Sequence, residues 1–160
     1  MRPFPSSKAK KQDDYISGLA LAAKSMKPSV RIVGVSMERG AAMHECLKAG
    51  KPIQVDELPT LADSLGGGIG LDNAYTFEMT RDLVDETLTV SEADIAGAIR
   101  HAYWQERQII EGSGSVGIAA IMSGRVKPDG LTVCLISGAN IDLELHHRII
   151  SGENVDVTAN

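Results

Sequence analysis

The stretch IIEGSGSVGIAAIMSG, residues 109–124, decides how the chain is read, because Gly112-Ser113-Gly114-Ser115-Val116-Gly117 is G-x-G-x-x-G to the letter. As a nucleotide fingerprint the pattern needs a strand before it, since the strand end aims the turn at a pyrophosphate. The residues before it, Ser91 to Ile110, have helix-forming composition and no strand alternation. A ribose-binding acid is also lacking: Asp129 and Asp142 flank a downstream strand pattern without ending it. The glycines therefore predict a helix–helix corner, where glycine permits a tight turn and close packing. A second reading stays open, that glycines at a helix start let a ligand approach the backbone.

Working outward, Ser91 with Asp94 three residues on is an N-cap signal for the helix that runs to about Ile110. Before it, DETLTV (85–90) alternates and reads as a strand, and Thr76–Leu83 as a helix. Leu58–Ser64 suggests a short helix leading into Gly66-Gly67-Gly68-Ile69-Gly70. Further upstream come a strand at Pro52–Val55, a helix at Glu38–Ala49 stopped by Gly50, a strand at Val30–Val35 and a helix at Ile16–Met26. Residues 1–14 read as a polar tail. Downstream follow a helix at Ser115–Met122, a strand at Leu131–Ile136 with both faces apolar, and a helix at Asp142–Ile149. Short apolar strands alternating with helices predict an α/β fold whose largely parallel sheet is buried on both faces.

The net charge of −5 argues against a phosphate-backbone binder, which wants a basic face. The one basic cluster, Lys8, Lys10 and Lys11, falls in the polar tail. No apolar run approaches the ~20 residues of a membrane span, and MRPFPSSKAKKQDD has no apolar secretory core. Aromatics are 4%, so the core is expected to be built from Ile, Leu, Val, Ala and Met. Cys46 and Cys134 form no disulfide framework, and a reduced, cytoplasmic protein is expected.

His44, His101, His146 and His147 show no metal-ligand spacing, and there is no H-E-x-x-H or C-x-x-C. His44-Glu45-Cys46 holds the residue types of Cys–His catalysis, but adjacent helix positions do not face each other. Ser137-Gly138-Ala139-Asn140 follows the strand LTVCLI, where open α/β sheets bind ligands. By position alone it reads more readily as a polar loop in which Asn140 or Asp142 caps the next helix.

Four stretches taken in order resemble a known family: ISGLALAAKSMKPSVRIVGV (16–35), LADSLGGGIG (61–70), EGSGSVGIAAI (111–121) and VCLISGANID (133–142). Together they are similar to the C-terminal half of threonine dehydratase-like enzymes, pyridoxal-phosphate enzymes of the tryptophan-synthase-β fold type. LADSLGGGIGLDN looks like the hydroxyectoine-utilisation branch. The resemblance covers about residues 15–152, leaving 153–160 as a C-terminal tail. It implies a three-layer α/β/α arrangement belonging to the large domain of a fold-type II enzyme.

Carried over residue by residue, the resemblance puts Ser137, in the family's S-G-G-N stretch, at the cofactor's pyridine nitrogen, with Gly138 and Asn140 beside it. Ala139 stands where that stretch has its second glycine. Glu111 and Gly112 match the E-P-x-G-A segment beside the cofactor, with glycine replacing proline. Ala62, Asp63 and Ser64 match an A-D-G stretch near the cofactor's phenolic edge, with Ser64 replacing glycine. A neutral hydroxyl at the ring nitrogen does not force protonation, which suits β-elimination over transamination.

Other family features do not match. The Schiff-base lysine motif S-x-K-x-R-G-A does not occur, and Ser7-Lys8-Ala9-Lys10 is a superficial likeness. Lys11-Gln12-Asp13-Asp14-Tyr15 stands where the family has its phosphate-binding glycine run. The positions of the divalent-cation ligands found in some relatives hold Ser36, Gly40 and Ala42, so no metal is expected. The resemblance thus implies a truncated lyase acting, when whole, on a small hydroxy amino acid. No catalytic residue is assigned, and pyridoxal phosphate binding by this chain alone is in question. Expected partners are a second copy or a complementing N-terminal half. The alternative is a non-catalytic interaction module, or the remnant of a disrupted gene, that pairs with another chain.

Overall fold

The computed structural model describes residues 13–155 and 157. The polar tail with Lys8, Lys10 and Lys11 lies outside the described residues except at its last two positions, as do 156 and 158–160 of the C-terminal tail. The elements are α1 (Asp13–Met26), β1 (Val33–Met37), α2 (Ala42–Ala49), α3 (Tyr75–Leu83), β2 (Glu86–Val90), α4 (Glu92–Trp104), α5 (Gly112–Met122) and α6 (Leu143–Ile150), with a 3-10 turn at Asp63–Leu65. β1 and β2 form a two-stranded sheet. Ile32 at the start of one strand accepts the N–H of Glu86 at the start of the other. Glu38, just past the end of β1, donates to Val90 at the end of β2, so the strands run parallel. The fold is α/β with a parallel sheet and helices, as the sequence pattern predicts.

The described residues divide into two compact units. The first holds residues 13–34, 40–57 and 67–87. Here α3 packs against α1 and α2. Ala42, Cys46, Ile69 and Phe77 form the buried cluster, with Met43, Leu47, Ile53 and Val55 against it. The helix expected from Glu38 starts only at Ala42, because Gly40 takes a left-handed φ of 78°. Its stop is as predicted: Gly50 returns its N–H to the carbonyls of Cys46 and Leu47. The strand expected at Pro52–Val55 does not form. The N–H of Ile53 goes to the Cys46 sulfur at 3.2 Å instead of to a strand partner. The Asp85 carboxylate accepts from Lys24 at 2.6 Å and from the Ile32 N–H at 2.7 Å, fixing the entry to both strands. These bonds, the Ile32 amide first, hold its carboxyl below the usual range.

The second unit holds residues 35–39, 58–66 and those from 88 onward. α4 packs on both α5 and α6. Met37, Val90, Ile95, Ile99 and Ile149 are fully buried, and Ala98, Ala119 and Ala120 pack in the same cluster. The predicted cap is present: Ser91 Oγ accepts the Asp94 N–H, and the Asp94 carboxylate accepts the Ser91 N–H. The helix ends at Trp104 rather than near Ile110. Arg107 takes a φ of 58°, which no right-handed helix accommodates, and residues 105–110 are a linker. α6 is closed by α4: Arg100 donates to the carbonyls of Ile149 and Glu153, and Trp104 to that of Ile150.

The buried strand expected at Leu131–Ile136 is corrected as well. The segment is irregular, and Leu131, Val133, Leu135 and Ile136 face solvent, with Leu131 101% and Val133 77% exposed, while only Cys134 turns inward against Gly117. A strand exists only through a partner for its backbone groups, and none lies beside this run among the described residues. The expected burial on both sheet faces is likewise not met, since β2 buries only Val90.

Candidate functional site

The candidate site lies in the second unit, where residues 60–64, 111–114 and 137–140 meet. Its foundation is the glycine pattern of α5. A Cβ at Gly112 would overlap the carbonyl oxygen of Leu61 and lie 3.0 Å from the Ala62 nitrogen. A Cβ at Gly114 would lie 2.8 Å from the carbonyl oxygen of Gly138, and one at Gly117 would lie 2.6 Å from the Cys134 sulfur. The two helix-opening glycines thus admit two separate backbone segments to the start of one helix. No strand precedes them, which removes the nucleotide-fingerprint geometry. Of the two readings left open, close backbone packing is realised directly.

Glu111 ties the downstream loop to α5. Its N–H donates to the Gly138 carbonyl at 3.2 Å, and its carboxylate accepts the Asn140 N–H at 2.9 Å. The same carboxylate occupies the space a Cβ at Gly138 would need. Glu111, Gly112, Gly138 and Asn140 are therefore brought together. Ser137 sits on the same loop, exposed, its hydroxyl without a hydrogen-bond partner among the described residues. Ser64 is exposed in the 3-10 turn and donates its N–H to Asp63 Oδ1 at 2.7 Å. Its loop reaches α5 through Leu61 and Ala62 rather than through Ser64 itself. Asp142, not Asn140, caps α6, accepting the Leu145 N–H at 2.8 Å.

Two residues here were not singled out in the sequence. Glu92, first in α4, accepts the Thr60 hydroxyl at 2.6 Å and the Leu61 N–H at 2.7 Å. Ser113 buries a hydroxyl that has no partner among the described residues, at 5% exposure. Next to it, the Ser115 hydroxyl is satisfied by the Gly112 carbonyl at 2.8 Å. An acid in a first helical turn was legible at Glu92, but its target lies 31 residues upstream and leaves no local signal.

His44 Nδ1 pairs with Thr87 Oγ1 at 2.9 Å, and burial pushes its pKa down. Cys46 is turned to Ile53, so His44 and Cys46 have different partners. Burial pushes the Cys134 thiol up. Ser36 donates to the Met37 sulfur at 3.3 Å, and Ala42 opens α2. No group of three His, Cys, Asp or Glu among the described residues could hold a metal ion. No helix there is long and apolar enough to cross a membrane.

The chemistry of this donor set suits an aromatic nitrogen heterocycle. It offers an unpartnered hydroxyl at Ser137 and a neighbouring carboxylate already engaged by the Asn140 N–H. No lysine occurs in 60–64, 111–114 or 137–140.

Comparison with known proteins gives the same direction. Residues 14–138 match the family model described as pyridoxal-phosphate dependent enzyme. The chain is 54% identical over 137 residues to the "Putative threonine dehydratase" of Sinorhizobium fredii, covering 85% of this chain and 41% of that protein. It is 37% identical over 136 residues to the L-threonine ammonia-lyase of Thermotoga maritima, covering 85% of this chain and 33% of that protein. Among solved structures, maize serine racemase superposes with a TM-score of 0.76 at 30% identity, over 89% of this chain and 45% of that one. A solved threonine deaminase, from the organism abbreviated T.th., gives 0.66 at 32% identity, over 79% and 46%. The chain thus spans less than half the length of these relatives.

Proposed function

This chain belongs to the pyridoxal-phosphate-dependent enzymes, related to threonine dehydratases and serine racemases, and from that premise we propose that its second unit forms one wall of the cofactor pocket of a β-eliminating lyase. The observation that carries this reading is the free Ser137 hydroxyl on a loop that Glu111 fastens to α5. Ser137 would hold the pyridine nitrogen, Gly112 and Gly138 would let the flanking backbone segments close against α5 and Glu111 beside it, and Ser64 would lie toward its phenolic side. Glu111 and Asn140 hold the loop rather than the ring. The bound cofactor supplies an electron sink for charge developing at the substrate's Cα.

In this reading, residues 15–152 are a C-terminal portion of the catalytic domain, and the substrate is a small hydroxylated amino acid, of the hydroxyectoine-utilisation type. The lysine that takes the Cα proton and the loop that holds the phosphate are not among these 160 residues, so the chain by itself is inactive. The unpaired Cys46 and Cys134 accord with a reducing, cytoplasmic setting. Equilibrium dialysis with pyridoxal phosphate tests the pocket. The wild type binds, Ser137→Ala binds about two- to tenfold more weakly through the lost hydrogen bond, and neither yields keto acid from L-threonine or L-serine. Equal binding by the two would remove Ser137 from the pocket, and turnover by the chain alone would overturn its inactivity.

A second reading is favoured by one observation, the solvent-facing LTVCLI segment. An uncharged run rich in β-branched residues, whose backbone groups have no partner among the described residues, is a template for strand pairing. It would make the chain an interaction module that recruits a second copy or another polypeptide. Light scattering separates the two: a strict monomer that binds pyridoxal phosphate favours the pocket alone.

A further inference from the structure

The segment from Thr60 to Ala62 is held between two rigid supports. On one side stands Glu92, whose two carboxylate oxygens are divided between the Thr60 hydroxyl at 2.6 Å and the Leu61 N–H at 2.7 Å. Thr60 Oγ1 in turn accepts the Ala62 N–H at 3.1 Å, so one carboxylate orders three consecutive residues. Glu92 is the first residue of α4, where the helix dipole favours a negative charge, and Ile95 and Ile99 anchor that helix in the core. On the other side stands Gly112, whose missing Cβ lets the Leu61 carbonyl touch the start of α5. Thr60, Leu61 and Ala62 are all buried in consequence, while Asp63 and Ser64 emerge at the surface.

We propose that Glu92 is a positioning residue, which sets where the segment 60–64 lies against α5 and thereby places the Asp63–Ser64 edge toward pyridoxal phosphate. The inference rests on the proposed pocket and assigns Glu92 no contact with the cofactor. Its carboxylate acts because it accepts twice. A glutamine of the same shape accepts once and turns an NH2 toward a donor, and an alanine accepts not at all.

The test uses the full 160-residue chain with Glu92→Gln, Glu92→Ala and the control Ile99→Val, which thins the core under α4 without touching the segment. Amide exchange by NMR reads the segment, and equilibrium dialysis with pyridoxal phosphate reads the pocket. Exchange at Leu61 and Ala62, relative to the α4 core amides, rises at least about tenfold in Glu92→Gln and further in Glu92→Ala, since a bond to a charged acceptor is lost. The dissociation constant rises at least about threefold in both, and Ile99→Val changes neither ratio nor affinity. Exchange in Glu92→Gln no faster than in Ile99→Val overturns the holding role. Faster exchange with unchanged affinity overturns the pocket role. A wild-type chain that takes up no pyridoxal phosphate overturns the proposed function, and the pocket role with it, while exchange still decides whether Glu92 holds the segment.

Discussion

The Glu111 carboxylate accepts the backbone N–H of Asn140 at 2.9 Å across 29 residues of sequence, while the Glu111 N–H donates to Gly138. One residue thereby closes a two-bond clasp between the start of α5 and the loop that carries Ser137. The carboxylate satisfies an amide that no strand or helix provides for.

Glu111→Ala opens this clasp and leaves the Asn140 amide without its charged acceptor. The expected cost is about 1–3 kcal/mol of unfolding free energy, read from urea denaturation. Glu111→Gln keeps an acceptor oxygen and falls between the two. A loss under about 0.5 kcal/mol in Glu111→Ala would mean that the clasp does not hold the loop.

Glycine substitutions separate packing from propensity. Gly112→Ala forces a methyl into the Leu61 carbonyl, which is backbone and cannot swing away, so a loss of about 1–3 kcal/mol is expected. Gly97→Ala, inside α4, meets nothing within 4 Å and gains up to about 1 kcal/mol from reduced unfolded-chain freedom. Thermal denaturation of the two variants moves in opposite directions. Equal shifts would contradict the close approach at Gly112.

His146 makes stability depend on pH in the acid direction. It is 4% exposed, its Nε2 has no partner among the described residues, and its ring meets Tyr103 edge-on at 5.3 Å. Burial first, and neighbouring His147 second, hold its pKa below 6.5. The unfolded chain takes up the proton at the ordinary value, the folded chain only lower. Stability is therefore level above pH 6.5 and falls below it, toward the lowered folded value. The Tm drop from about pH 7.5 to about pH 5.5 is smaller in His146→Leu than in wild type. An unchanged drop would assign the acid sensitivity elsewhere.

The exposed segment predicts tolerance where the sequence suggests a core. Leu131→Ser and Val133→Thr cost under about 0.5 kcal/mol each, against about 1 kcal/mol for Ile99→Val. If LTVCLI is a pairing strand, Val133→Lys also reduces self-association in light scattering. A loss above about 2 kcal/mol at Leu131 would show that the segment is buried in the folded chain.

Much of this molecule is legible residue by residue. The Ser91–Asp94 cap, the Gly50 stop and the Asp142 start are written locally, because a cap is satisfied within four residues of itself. The order of glycine and polar motifs likewise marks 111–112 and 137–140 as belonging together, and the chain folds so that they touch. Strands are another matter. Val30–Val35, Pro52–Val55 and Leu131–Ile136 have similar apolar composition, yet only the first overlaps a strand, β1. A strand is a relation between two segments, and composition names only one of them. Glu92 escaped for the same reason. Its identity is local, but its work is on Thr60 and Leu61, and only the folded chain carries that distance. The sequence by itself determined most of the helices, the caps that are satisfied locally, and the family. The tertiary structure decided which apolar runs find a partner and which carboxylate holds which loop, because those bonds join residues that are neighbours only in space.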